Sequence, residues 1–327
     1  MLDRLRRPWS DRRAEHTLGA LALVVLASIV LMVVFVAIRA WPSFHHNGLA
    51  WFGARGDVDR QISDMVNTGA HPAPRDYALG AWPLIWATVL TTGISVLVGL
   101  GFALLAAIFL VEFAPLPVRR VLGPVVRLLA AVPSVIYGLI GILVLAPWIN
   151  EHLVSAQRKE SVQYVISLSG TGLLLSVVIL TVMVTPIMIA IIVDALHAVP
   201  RSWREGALAL GVNRWRAMWT VSVRAARPAI LAGAVLAAAR ALGEAIMLSM
   251  VSGSKGFAPN PIDGLTFIFE PMRTLASTVV EDAESLNAPA VRASVYSFAL
   301  VLLFSSFMLS VAAFVAKQPM RRYGVRA

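Results

Sequence analysis

The sequence predicts an all-α integral membrane protein with six transmembrane helices, and three observations predict it. First, the 327 residues are 58% hydrophobic and 14% charged, with a mean hydropathy of +0.76; a soluble domain is about half apolar and about a quarter charged. Second, the apolar excess is gathered into six runs, each near the ~20 residues that a span requires. Third, the basic residues alternate between sides. Of 28 Lys and Arg, eighteen fall in the two ends of the chain and the second and fourth loops, and nine on the other side. The positive-inside rule then places both termini in the cytoplasm.

Residues 1–16 form a basic N-terminus with Arg4, Arg6, Arg7, Arg12 and Arg13. The first span is expected at about 17–39. It is too long for the ~7–15-residue apolar region of a signal peptide, and Trp41 anchors its outer end. Residues 41–81 make an outer loop of mixed charge. The second span, 82–111, carries Gly93, Gly99 and Gly101, which small-residue packing between membrane helices would use. The third, 128–149, is interrupted by Pro133. A proline removes a backbone donor and clashes with the preceding turn, so an elbow is expected, with a membrane-surface piece before it. Ser134 and Tyr137, just beyond, read as packing residues before path-lining ones.

The fourth span, 170–194, contains Pro186, and Asp194 marks its end. A polar, Arg-rich loop at 200–227 leads into the fifth span, 228–252. Residues 253–292 form the last outer loop, whose acids Asp263, Glu270, Glu281, Asp282 and Glu284 could meet a basic partner or be solvated, the solvated reading being slightly favoured. The sixth span, 293–316, ends in a basic tail, 317–327. Residues 17–316 therefore form one six-span body.

Several functions are excluded or weakened. Without cysteine the chain has no disulfide, thiolate metal site or thiol nucleophile. His45 and His46 lack the spacing and acidic partner of a metal site. There is no GxxxxGK[ST] phosphate loop, so ATP hydrolysis would belong to another chain. The basic balance follows membrane topology and does not indicate nucleic acid.

The fifth span carries two charges, Arg240 and Glu244, in an otherwise uncharged run. A charge at the bilayer centre costs roughly 2.5–3.5 kcal/mol, so both need partners. At i, i+4 on a continuous helix they share a face and can meet. They could be an internal ion pair that only fixes packing. As intramembrane ionisable residues they would by default line a path, with Arg240 suited to bidentate capture of an oxyanion. Glu244 could then accept the proton of hydrogen phosphate, which sulfate lacks. An enzyme acting on a lipid phosphate is the less favoured alternative, because no nucleophile–base pair or metal set accompanies the two charges.

In the Arg-rich loop, Glu205-Gly-Ala207 is followed by three residues and Gly211, and nine residues later by Val221-Ser-Val223. From its composition this is either a lipid-held surface helix or a docking site. The pattern resembles the EAA loop of bacterial ABC-importer permeases, with Gly206 in place of the first Ala and Arg224 in place of a Pro. AVPSVIYGLIG (131–141), RALGEAI (240–246) and EPMRTLAS (270–277) look like phosphate-specific importer permeases of the PstC type. The resemblance implies a type I ABC-importer permease fold in the bacterial inner membrane. It implies that Glu205, Ala207 and Gly211 couple to an ATPase, and that Arg240 and Glu244 lie on a phosphate path. It implies a homologous PstA-type permease, a PstB-type ATPase dimer holding ATP and Mg, and a PstS-type binding protein outside. This chain itself would bind no cofactor or metal and would not be an enzyme. A permease for another oxyanion, sulfate or molybdate, is the runner-up.

Overall fold

A computed structural model describes residues 9–69, 72–162 and 167–321. The N-terminal residues 1–8 and the tail from 322, both expected to be basic and cytoplasmic, lie outside the described residues. Helices account for the architecture, and among the described residues the sole β-type contact is a bridge between Gly253 and Met272. Six helical segments are long and apolar enough to cross a membrane: Ala14–Phe52, Pro74–Phe113, Ser134–His152, Leu173–His197, Arg214–Leu242 and Pro289–Val315.

Helix α1 (Trp9–Asn47) runs past Trp41 and Pro42 and ends where Gly48 turns left-handed at φ +52°. The short α2 (Val58–Val66) lies outside the membrane body, and α3 (Trp82–Ile108) is the second span. It ends in a π-turn, Phe109–Phe113, and Pro115 redirects the chain into α4 (Leu116–Ala130). The elbow falls at Ala131–Pro133, and α5 (Ser134–Ile140) begins directly after the proline. Tyr137, buried, donates its hydroxyl to the Leu129 carbonyl at 3.0 Å. That bond satisfies an acceptor near the end of α4 and gives Tyr137 its packing role. A π-turn, α6 (Ala146–His152) and α7 (Ala156–Val162) complete the third span and the loop that follows it.

Helix α8 (Leu173–His197) continues through Pro186 and is the centre of the bundle. It packs on α3, on α4 and on α11 (Arg224–Leu242), while α14 (Pro289–Arg321) packs on α11 and α1. Of the three glycines in α3, Gly99 allows the close approach. A Cβ there would sit 2.7 Å from Met188 Cε and 3.0 Å from Thr185 Oγ1, both on α8, whereas Gly93 and Gly101 face open space. The main core gathers Val96, Ala103, Leu180, Val184, Met188, Ile192 and Ala237 between these helices. By contrast α1 is exposed along most of its length, as a lipid-facing helix would be.

The segment 41–81, between the first and second spans, builds a second core. Trp51, Val58, Ile62, Met65 and Leu79 pack against Leu275, Val291, Val295 and Phe298. Trp51 Nε1 donates to Ser297 Oγ at 3.1 Å. Buried Asn47 ties the cap together: its Nδ2 donates to the Ser43 and Tyr77 carbonyls, and its Oδ1 accepts from Leu79 N and Arg55 Nη1.

Candidate functional site

The fifth span differs from the expected continuous helix. It begins early, through α10 (Arg214–Ala217) and a π-turn at Met218–Val223, and α11 stops at Leu242. Gly243, Glu244 and Ala245 break it before α12 (Ile246–Val251) resumes. Glycine is a poor helix former, and the Glu244 carboxylate offers the backbone another partner. Its Oε1 accepts the Met247 N–H at 3.2 Å, in the first turn of α12. The first N–H groups of a helix lack intrahelical partners, and within a bilayer they must be satisfied inside the protein. Glu244, 9% exposed, performs that task. Arg240, in the last turn of α11, is exposed. The break separates the two residues, and no ion pair joins them among the described residues. The expected i, i+4 pair on one helical face is therefore corrected to a buried carboxylate at a break with an exposed guanidinium one turn before it.

The Arg-rich loop forms α9 (Arg201–Ala209), started by Pro200, and then α10, capped by Asn213 Oδ1 accepting from Arg216 N at 2.8 Å. No residue of α9 is buried. The Ala207-to-Gly211 spacing has a direct backbone cause. Val212 N donates to the Ala207 carbonyl at 3.2 Å, and Gly211 N to the Leu208 carbonyl at 2.9 Å. These are the two bonds of a Schellman helix stop, which needs a left-handed residue just past the helix. Gly211 supplies it at φ +81°. Glu205 and Gly211 are exposed, Ala207 is half-buried, and Leu210 stands 86% exposed between Trp203 and Trp215, which are also exposed. One charged contact ties α9 inward: Arg204 Nη1 lies 3.1 Å from Glu112 Oε2 in the π-turn at the end of α3.

On the opposite side, Glu270, Glu281 and Asp282 of the last loop depart from the favoured solvated state, whereas Glu284 is exposed and the Asp263 side chain lies outside the described residues. Arg273, 5% exposed, meets Asp59 Oδ1 at 2.7 Å, Glu281 Oε2 at 3.0 Å and Asp282 Oδ2 at 3.1 Å. Glu270, also buried, accepts from Asn260 N at 3.3 Å. Burial pushes the Glu281 and Asp282 carboxyls above the usual carboxylate range, against the opposing pull of Arg273. Burial presses the guanidinium down, but Asp282, Glu281 and Asp59 outweigh it and hold Arg273 charged. One cation serves three carboxylates, so the cation gains from all of them while each acid gains from a shared partner. A polar cavity of about 440 Å³ opens here, lined in part by Ser63, Asn67, Ser254 and Ser285. Spacing could not reveal this cluster, because Asp59 and Arg273 are 214 residues apart. Arg204 and Glu112 escape sequence reasoning for the same reason. Among the described residues no three His, Asp or Glu are grouped so as to hold a metal ion.

A helical membrane body carries an exposed helix, α9, on one side and a folded cap on the other, and its family and relatives place it in the class of transport permease subunits that are not themselves catalytic. The chain belongs to the family described as binding-protein-dependent transport system inner membrane components, which matches residues 99–318. It is 32% identical to the probable ABC transporter permease protein YqgH of Bacillus subtilis, over 93% of this chain and 90% of that one. It is 33% identical to phosphate transport system permease protein PstC 1 of Mycobacterium tuberculosis, over 90% and 89%. With the probable PstC of Methanocaldococcus jannaschii the identity is 30%, over 88% and 87%. A chain in the crystal structure of a bacterial alginate ABC transporter superposes with a TM-score of 0.53 at 14% identity, covering 96% of this chain and 98% of that one, a likeness of fold.

Proposed function

We propose that this chain is the PstC-type permease subunit of an ATP-driven inorganic phosphate importer in the bacterial inner membrane, with both termini cytoplasmic. Relatives at 30–33% identity over about nine tenths of the chain carry phosphate transport names. The structural observation that carries the reading is Arg240: an exposed guanidinium without an ion-pair partner among the described residues, at a break in a membrane helix. Arg240 stands in the last turn of the helical segment Arg214–Leu242, directly before the backbone becomes irregular. Irregular backbone at membrane depth is tolerated where it lines a cavity or is buried in protein.

In this reading Arg240 binds the phosphate oxyanion through its paired N–H donors. Glu244 keeps one oxygen on Met247 N and offers the other to the proton of hydrogen phosphate. An ion without that proton leaves a buried acceptor unpaired, and sites reject such analogues. The partner permease, of PstA type, completes the path from the exposed side of Arg240. A PstS-type binding protein delivers phosphate to the outer cap. A PstB-type ATPase dimer, which holds ATP and Mg, grips α9 through Glu205, Ala207 and Gly211. ATP-driven closure moves α9, and the spans alternate access around the level of Arg240.

The test is uptake by the reconstituted complex of labelled phosphate against labelled sulfate, for the wild type and Glu244→Gln. The expected result is phosphate uptake by the wild type and a loss of its preference over sulfate in the variant. Sulfate or molybdate uptake without phosphate uptake would reject the phosphate reading. An unchanged preference in the variant would reject the role of Glu244.

A further inference from the structure

Helix α9 is the element through which an ATPase would act, yet it has little purchase on the membrane body. It touches α10 and the π-turn that opens the fifth span. Its inward charged contact among the described residues is Arg204–Glu112, at 3.1 Å, with side chains 23% and 11% exposed. Arg204 Nη1 also approaches Met218 Sδ at 3.8 Å, and Met218 is fully buried at the start of that π-turn. Arg204 thus touches the ends of the second and fifth spans together.

The end of α3 is shaped to receive it. The π-turn closes with Ala114 N donating to the Phe109 carbonyl at 2.7 Å. A π-turn inserts one residue into a helix and rotates the residues beyond it, and here it presents both Glu112 and Phe113 to the loop. Phe113 meets the Trp215 ring at 6.3 Å between centroids. Arg119 of α4 donates to the Val111 carbonyl at 2.7 Å, pinning the same turn from its other side.

The far end of α3 reaches the outer cap. Thr88 Oγ1 accepts Leu275 N at 2.9 Å, two residues from Arg273, and Trp86 Nε1 donates to the Pro259 carbonyl at 2.9 Å. Between the two ends, α3 lies along α8 with Gly99 in close contact. One continuous helix, α3, therefore joins the docking loop to the opposite face.

We propose that Arg204 and Glu112 are positioning residues for coupled transport: the pair makes α3 the strut that carries displacement of α9 to the outer cap, and it stays closed throughout the cycle. This rests on the coupling role of α9 and not on the identity of the anion.

The experiment uses the complete complex in vesicles. Uptake and binding-protein-stimulated ATPase activity are measured for Arg204→Gln, Glu112→Gln and the charge swap Arg204→Glu/Glu112→Arg. Values are taken relative to wild type, for whichever oxyanion the wild type carries. Each single variant is expected to assemble and hydrolyse ATP but to lose about tenfold in anion moved per ATP, within the usual range of a coupling free energy. The swap should recover most of the loss. Unchanged transport per ATP in both singles, or no recovery in the swap, overturns the proposal. The chain has no cysteine, so Arg204→Cys/Glu112→Cys can be bridged by a short bis-maleimide. Continued transport by the bridged protein is expected, and a block on bridging would show that the pair must open, which also overturns it.

Discussion

The two ends of the membrane body solve opposite problems. The cap closes on its own chain: Arg273 pairs with Asp59, Glu281 and Asp282, and Trp51, Val58, Ile62 and Met65 bury their side chains within it. The loop at the other end leaves its surface open. No residue of α9 is buried, and Leu210, Trp203 and Trp215 project outward with Glu205 and Gly211. The cap has the internal pairing of a folded unit, while the loop has the shape of one without its partner. Changes in the cap should therefore cost stability, and changes in the loop should cost transport.

The largest expected effect is Arg273→Ala. It leaves three carboxylates around a buried, vacated position, and breaking a buried pair by removing one partner costs about 3–5 kcal/mol. Thermal unfolding in detergent should show a large loss of stability. A melting temperature equal to wild type would mean that the cap does not depend on this cluster. Next is Gly211→Val. A side chain held in the left-handed region costs roughly 1–2 kcal/mol, and a β-branched one is the least suited to it. The helix stop should loosen and uptake should fall severalfold, with insertion and melting unchanged. Gly211→Asn sharpens the test, because Asn enters that region readily and should retain most of the uptake. Equal loss in both variants would shift the cause from backbone conformation to the surface itself.

The smallest effect is a pH dependence confined to the cap. Glu281 and Asp282 have carboxyls raised by burial. A group whose folded pKa lies above its unfolded value contributes stability at low pH and loses it as pH rises through the folded pKa. The cap should therefore be tighter in mild acid than at neutral pH. Hydrogen exchange in α2 and in α13 (Leu275–Glu281), corrected for intrinsic rates, should be slower at the acid end. Glu281→Gln should flatten that difference, and a reversed slope in the wild type would contradict the assignment.

The range of each interaction decides how much of it the sequence reveals. Six long apolar runs announce six spans, because a bilayer demands them locally. Pro133 announces its elbow for the same reason. The break in the fifth span is not legible: Gly243 alone is a weak signal, and the spacing of Arg240 and Glu244 fits an unbroken helix equally well. Among Gly93, Gly99 and Gly101, the one that matters depends on which side meets α8, and that is a property of packing. The Ala207–Gly211 spacing is visible in the sequence only as a family pattern, and the structure supplies its cause as a helix stop. Glu281 and Asp282 read as solvated in the sequence although Arg273 lies in the same loop, because their burial around it, with Asp59 brought in from the first loop, is a property of packing.

A place for Arg240 on the anion path is tested by phosphate uptake in the reconstituted complex carrying Arg240→Gln, alongside stimulated ATPase activity. Uptake should be lost while the complex assembles and its ATPase still responds. Wild-type uptake by that variant would contradict it and leave Arg240 as an exposed charge with no part in transport.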